Sequence, residues 1–347
     1  MAKILVIRLS AIGDVAMTIP VIYSAARANP ADQFTVLTQA FLVPLFINRP
    51  SNVNLLSINT KAGEKSLCGL LKFTFALSRN HFDRVIDLHN VIRSVIIRTA
   101  FKLQGKSVNV LDKARKARKQ LTTAEHKVLQ PLRPVVDRYA DVFREAGLVY
   151  SDTFTSLFDG LPVDLGPLGL KDTPKRGKWI GIAPFAKHQG KIYPIDAMEE
   201  VVASLSSTNN YTIFLFGGKG NEEKILSSWE ERYPHVMNVV GKYSLDKELA
   251  LISHLDILLS MDSANMHFAS LVGTRVLSIW GATHPFTGFY GYHQDIKDAI
   301  QVDLPCRPCS IFGQKPCARG DWACMKQISP QIIIGKIINA LEEDKSV

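Results

Sequence analysis

Five short stretches of this chain hold side chains that can do chemistry, each at the end of a β-rich run or in an irregular tail. The first is Arg8-Leu-Ser10-Ala-Ile-Gly13-Asp14. Gly13 allows a tight turn, so Asp14 falls at or just before a helix N-terminus, where free N–H groups and the helix dipole favour a carboxylate. Two readings stand: an ordinary helix cap, or a fixed base at the mouth of a binding site. The second stretch runs from Pro184 to Pro194 and places Lys187, His188 and Lys191 around Gly190, ahead of a helix opened by Pro194. Cations beside a helix N-terminus suit a phosphate; a surface loop with incidental lysines is the plainer reading.

The third stretch, Phe216-Gly217-Gly218-Lys-Gly220-Asn-Glu222-Glu223, lets backbone approach a ligand and offers Glu222 to ribose hydroxyls. It is equally the composition of a plain βα turn. The fourth is Ser260-Met-Asp262-Ser263-Ala264-Asn265-Met-His267. Asp262 ends an apolar run, and the small residues after it leave helix N–H groups open to a diphosphate. His267 lies on the first turn, four residues beyond Ser263 and on its side. Trp280-Gly-Ala-Thr283-His284-Pro285 ends another strand and offers a further wall. The fifth holds Cys306, Cys309, Cys317 and Cys324, spaced C-x2-C-x7-C-x6-C. These could close a tetrahedral zinc site, yet the second half lacks the paired knuckle, and reduced thiols in an irregular segment are the competing reading. Cys68, in an apolar helical stretch, is expected in the core.

These loops need elements to position them. Strands are expected at 3–8, 34–38, 53–58, 83–88 and 107–111, with helices at 14–28, 66–80, 91–103 and 132–146. The turn-rich stretch 159–178 reads as a linker. A second series opens at Trp179 and alternates strands near 211–216, 236–240, 256–260 and 275–279 with helices at 195–205, 221–232, 246–254 and 263–272. Alternating βα units call for parallel sheets covered on both faces. The expectation is therefore two Rossmann-like parallel-sheet domains, residues 1–165 and 166–347, facing a central cleft, with the last helix able to pack back on the first. Ligands would bind at the strand C-termini.

With 347 residues, 46% hydrophobic and 21% charged, the composition fits a globular protein and excludes a disordered chain or a fibre. Arg8 and Asp14 interrupt the apolar N-terminus, which leaves no signal-peptide core, so a cytoplasmic location is expected. Residues 1–170 hold 22 Lys/Arg against 13 Asp/Glu, whereas the remainder holds 19 of each. Lys102, Lys106, Lys113, Arg115, Lys116, Arg118 and Lys119 crowd one segment. That asymmetry suggests an anionic partner for the first half, or simply a solvated basic face. Nucleic acid is disfavoured, because aromatics are not interleaved and no helix-turn-helix or RNA-binding pattern occurs. The first βα turn also lacks the Gly-x-Gly-x-x-Gly fingerprint of a dinucleotide site.

Taken in order, Arg8-Leu-Ser-Ala-Ile-Gly-Asp-Val, Gly190-Lys191-Ile-Tyr-Pro194, Phe216-Gly-Gly, Met261-Asp-Ser-Ala-Asn-Met-His267, Trp280-Gly-Ala-Thr-His-Pro285 and the cysteine tail resemble glycosyltransferase family 9, the ADP-heptose:lipopolysaccharide heptosyltransferases. The resemblance spans residue 3 to about 335. It implies a GT-B architecture and a cytoplasmic, inverting enzyme at the inner membrane face that moves heptose from ADP-heptose to an anionic lipid A/Kdo acceptor, with no cofactor. It further implies Asp14 as general base, Lys191 as the phosphate-contacting lysine, and Asp262 with His267 at the diphosphate. Lys187, His188, Gly217, Gly218, Glu222, Ser263, Ala264, Asn265 and Thr283 would complete the donor site. Arg8, Ser10, Lys113, Arg115, Arg118 and Lys119 would meet the acceptor. Tyr193 stands where Trp is usual and Ser263-Ala-Asn where Thr-Gly-Leu/Pro is frequent, both at the expected donor site. A non-catalytic nucleotide or glycan binder of the same architecture is the alternative.

Overall fold

The computed structural model describes residues 1–59, 66–170 and 177–343. Part of the expected linker, 171–176, lies outside them. The chain divides into two compact units, one of residues 1–113 and 133–159, the other of 114–132 and 160–347.

The first unit carries a parallel sheet of β1 (Lys3–Ile7), β2 (Gln33–Gln39), β3 (Val53–Ile58), β4 (Arg84–Asp87) and β5 (Ser107–Val110), ordered β3-β2-β1-β4-β5. β1 is the hub, pairing Ile4 with Phe34 on one side and Arg84 on the other. Strands covered on both faces need no polar alternation, and Ile4, Leu5, Val6 and Ile7 are all fully buried. The expected helix at 14–28 is two helices, α1 (Ile12–Ala16) and α2 (Ile19–Ala28). Pro20 has no N–H to return to the Ala16 carbonyl, and the Thr18 hydroxyl donates to Val15 O at 2.7 Å to close the first segment. α2 shares a layer with α6 (Val135–Glu145), where Phe34 stacks on Phe143. α3 (Leu67–Ser78) and α4 (Ile92–Leu103) pack together, and Leu70, Leu77, Ile97 and Phe101 join Leu5, Ile7 and Val85 in one core. Cys68 is exposed, not core: on α3 the inward positions are Leu70, Thr74 and Leu77.

The second unit repeats the plan with β6 (Lys178–Ala183), β7 (Tyr211–Leu215), β8 (Val236–Asn238), β9 (Ile257–Met261), β10 (Val276–Ile279) and β11 (Ala299–Ile300), ordered β11-β10-β9-β6-β7-β8. Counted from its own first strand this is 3-2-1-4-5-6, the Rossmann order. Its helices are α7 (Ile195–Ser207), α8 (Asn221–Arg232), α9 (Leu245–Ile252), α10 (Ala264–Val272), α11 (Ala323–Lys326) and α12 (Pro330–Glu343). The two parallel α/β units are those of the expected GT-B class. α12 buries Ile333, Ile337, Ala340 and Leu341 in the second unit's own core, beside Met198 and Val202 of α7.

The division departs from the expected boundary at 165 in one instructive way. Residues 114–132, including α5 (Arg115–Thr122), belong to the second unit. Leu132 N donates to Phe286 O at 2.8 Å, and the Lys127 ammonium donates to the carbonyls of Pro305, Arg307 and Pro308 at 3.0–3.1 Å. Part of the basic segment read with the first half thus forms a helix, α5, that is grouped with the second.

Candidate active site

In each unit the chemistry gathers at the point where strand order reverses, beyond the C-termini of the two central strands. In the first unit these are β1 and β4. Asp14 sits in the first turn of α1 and accepts from Ala11 N at 3.3 Å through Oδ2. The same oxygen pairs with Arg8 Nη2 at 2.7 Å, and Asp14 keeps 23% of its side-chain surface exposed. Arg8 is buried, donates from Nη1 to Leu88 O at 2.6 Å, and lies 5.8 Å from the Tyr139 ring centroid. Asp14 ties down the start of its helix, and its carboxylate keeps partial contact with solvent.

Sequence reasoning missed the β4 side. Asp87, fully buried, accepts from His89 N and Asn90 N at 2.9 and 2.8 Å and from Arg98 Nη1 at 2.7 Å. This fixes the turn that carries His89, whose Nε2 comes within 3.5 Å of Ser10 Oγ. Burial, with Arg8 adding to it, holds the His89 pKa down to about 3 against the pull of Asp14. His89 is a neutral imidazole at physiological pH. Lys113 and Arg93 also bear on it electrostatically. The signal was available: a strand ending in Asp87 followed by polar residues repeats the pattern of Asp262 at β9.

In the second unit the central strands are β6 and β9. Lys191 Nζ pairs with Asp262 Oδ2 at 2.8 Å, and that oxygen also accepts the Thr283 hydroxyl at 2.7 Å. Three residues from different loops are thereby locked together. An ammonium has three donors, so one bond to Asp262 aims the group without exhausting it. Lys187 is exposed beside it, and the His188 pKa is lowered by burial and by Lys187 and Lys191. Ser263 begins α10 with an extended backbone and no side-chain cap, its hydroxyl lying 3.2 Å from Ser260 Oγ. Ala264 and Asn265 are half-buried on that first turn, whereas His267 is buried. Glu222 Oε2 accepts from Gly218 N at 2.6 Å and braces the Gly217-Gly218 loop.

The cysteine tail forms the back of this site. Arg307, buried among backbone carbonyls, donates to Trp280 O and Thr283 O at 3.0 Å, and to Gly281 O, holding the loop beyond β10. Gly313, at φ +76°, lies so close to Lys191 that an added Cβ would stand 2.6 Å from Lys191 Cγ. Sequence reasoning gave neither residue a role. The four thiols share a neighbourhood, and burial pushes Cys324 up to about 11 with the other three cysteines adding to the shift. Among the described residues no three His, Cys, Asp or Glu form a group able to hold a metal ion, and all five cysteines are free. Cys324 belongs to the apolar core instead.

Two further expectations are placed differently. Tyr193 is fully buried and its hydroxyl donates to Ile328 O at 2.7 Å, so that departure falls on the core and not on a ligand surface. Arg118 lies over the rings of Phe289 and Phe312, 5.0 and 5.7 Å from their centroids, and is committed to the second unit. Arg115 and Lys119 are exposed on the same helix, while Lys113 stays with the first unit.

Residues 70–315 match the family model for glycosyltransferase family 9 (heptosyltransferase). The chain belongs to this family. It is 23% identical over 349 residues to the lipopolysaccharide core heptosyltransferase OpsX of Haemophilus influenzae, covering 96% of this chain and 95% of that one. A family 9 glycosyltransferase from Veillonella parvula superposes with a TM-score of 0.74 at 18% identity, over 99% of this chain and 98% of the other. The Escherichia coli heptosyltransferase WaaC, solved with ADP-2-deoxy-2-fluoro heptose, gives 0.68 at 17% identity, over 97% and 99%. The chain is a glycosyltransferase, and the non-catalytic alternative is not favoured. Among the described residues no helix is long and apolar enough to cross a membrane.

Proposed function

We propose that this glycosyltransferase moves a heptose from ADP-heptose onto the inner core of a lipopolysaccharide acceptor, inverting the anomeric centre, at the surface of the inner membrane. The observation that carries the reading is the pair of fixed, oppositely charged groups at the two switch points: the Asp14 carboxylate in the first unit and the Lys191 ammonium in the second. An inverting transfer asks for a base on the attacking oxygen and positive charge on the departing phosphate. The acceptor hydroxyl passes its proton to Asp14 as its oxygen bonds to C1, and the bond from C1 to the diphosphate oxygen breaks. The transition state carries oxocarbenium character, as in glycoside hydrolysis.

ADP leaves with its charge met by Lys191, Lys187 and the N–H groups of Ser263, Ala264 and Asn265 at the start of α10. Asp262 would repel a phosphate, so its part is to hold Lys191, with Thr283 fixing the carboxylate. His188, Gly217, Gly218 and Glu222 are assigned to the nucleotide, and His267 to the wall behind the diphosphate. Arg8, Ser10 and Lys113 are assigned to the anionic acceptor, with Arg115 and Lys119 offered from the second unit. Arg8 also orients the base.

The test is ADP release from ADP-heptose with a Kdo-lipid A acceptor, with the product's anomeric configuration read by NMR. Turnover that requires both substrates and yields the inverted product supports the reading. Absence of turnover with a folded protein that binds no ADP-heptose would falsify it.

A further inference from the structure

α3 reads Leu67-Cys-Gly-Leu-Leu-Lys-Phe-Thr-Phe-Ala-Leu-Ser78, with Lys72 its one charged side chain and apolar residues on more than one face. Such a helix is normally covered on more than one side. Here one face, Leu70, Thr74 and Leu77, packs on the sheet. The face beside it presents Leu67, Leu71 and Phe75 at i, i+4 and i+8, exposed to 63%, 51% and 61%. Its neighbour α4 repeats the arrangement. Ser94, Ile97 and Phe101 point inward, while Ile92 and Leu103 are 81% and 85% exposed. Two adjacent helices on one side of one sheet therefore both turn large apolar side chains outward.

Among the described residues, the charges carried on these two helices have one sign, and Asp83, beyond the end of α3, pairs with Lys106. Lys72, Arg79, Arg93 and Lys102 are all exposed on or beside these helices. No Asp or Glu occurs from residue 66 to 82 or from 88 to 111. Arg79 lies over the Phe75 ring, 4.4 Å from its centroid, so its stem covers apolar surface while its head stays in water. A protein partner of ordinary composition would be met by charges of both signs. An apolar ridge whose own charges are cationic matches the boundary of an anionic bilayer, where acyl chains receive the one and headgroup phosphates the other.

We propose that the outer faces of α3 and α4 dock on an anionic phospholipid surface, with Leu67, Leu71, Phe75, Ile92 and Leu103 entering the interface and Lys72, Arg79, Arg93 and Lys102 on headgroup phosphates. This rests on the proposed function only for the reason a bilayer is met, a lipid-anchored acceptor; the surface itself is independent of the donor. The full-length protein is sedimented with sucrose-loaded vesicles that carry neither donor nor acceptor. It pellets with vesicles rich in phosphatidylglycerol, is left in solution with pure phosphatidylcholine, and is released by high salt. The pair Leu71→Gln/Phe75→Gln and, separately, Lys72→Gln/Lys102→Gln weaken binding about tenfold or more, with unchanged circular dichroism and unchanged ADP release on a water-soluble acceptor. Wild type that stays in solution, or variants that pellet as wild type does, overturns the proposal. So does sedimentation velocity showing a dimer that Leu71→Gln/Phe75→Gln dissolves, since a second copy would then cover the face. Vesicle binding without transfer leaves this inference standing while the proposed function fails, and transfer without vesicle binding does the reverse.

Discussion

Lys191 Nζ and Asp262 Oδ2 stand 2.8 Å apart, largely screened from solvent, and the Thr283 hydroxyl closes on the same carboxylate oxygen. Removing one partner of such a pair leaves the other charge poorly satisfied. Lys191→Met is expected to lower kcat about 10²–10³-fold, the usual effect of losing one group that stabilises developing charge. Asp262→Asn should act through the lysine. A double-mutant cycle in ADP release then shows the combined loss to be clearly smaller than the product of the single losses. Multiplicative losses would mean that the two residues work separately.

Asp14→Asn keeps the hydrogen bond to Ala11 N and the start of α1, but removes the proton acceptor. General-base loss is worth about 10²–10⁴ in rate. The expected result is that fall in kcat with ADP-heptose affinity unchanged by calorimetry. A variant with more than half the wild-type kcat removes Asp14 from the chemistry.

Gly313→Ala tests the wall behind Lys191. Its φ of +76° disfavours any side chain, and the new methyl would stand 2.6 Å from Lys191 Cγ. Strain of about 1–2 kcal/mol at such a site lowers Tm by about 2–4 °C per kcal/mol. Displacement of the lysine should also lower kcat about tenfold or more. Gly320→Ala, also at positive φ but with open space around it, is the control and should cost stability without activity.

His89 sets a pH dependence. Its pKa lies near 3 in the folded protein because it is buried beside Arg8, whereas an unfolded chain titrates at the ordinary value of about 6.5. Across that window the unfolded state binds a proton that the folded state refuses, so stability falls as pH drops from about 6.5 towards 3. His89→Gln cannot titrate. Its Tm measured from pH 7 to pH 4 should fall less steeply than that of wild type. Parallel curves would show that His89 is not the group refusing the proton.

Most of the secondary structure was legible because buried parallel strands are continuous apolar runs and their crossover helices keep a clear period. The run 3–7 and the run 257–261 both announced themselves in this way. The helix break at Thr18 hung on one proline, and a periodicity reading spans it without notice. Of the candidate site, Asp14, Lys191, Asp262 and Thr283 stand out in the sequence because each lies in a short loop at the end of an apolar run. His89 is less conspicuous because its turn has no glycine and the polar pair His89-Asn90 is hemmed in by Leu88 and Val91. Arg307 and Gly313 were hidden inside a cysteine pattern that drew the eye to a metal. What they do depends on backbone carbonyls and on a missing methyl, and neither leaves a mark in residue order. Arg118 misled for a related reason. A cation in a basic run looks solvated until Phe289 and Phe312, far along the chain, come to lie beneath it.

The placement of residues 114–132 bears on how this protein can be taken apart. The polypeptide passes from one body to the other three times, so a cut in the turn-rich stretch near residue 160 yields no pair of self-sufficient pieces. A fragment ending there would carry a cationic helix stripped of the aromatic rings and carbonyl cage that receive it, and the remainder would show a hole where that helix belongs. Complementation between such fragments would require the helix to find its socket again. Swapping N-terminal halves between relatives should therefore move the 114–132 segment with the C-terminal partner and not with the N-terminal one.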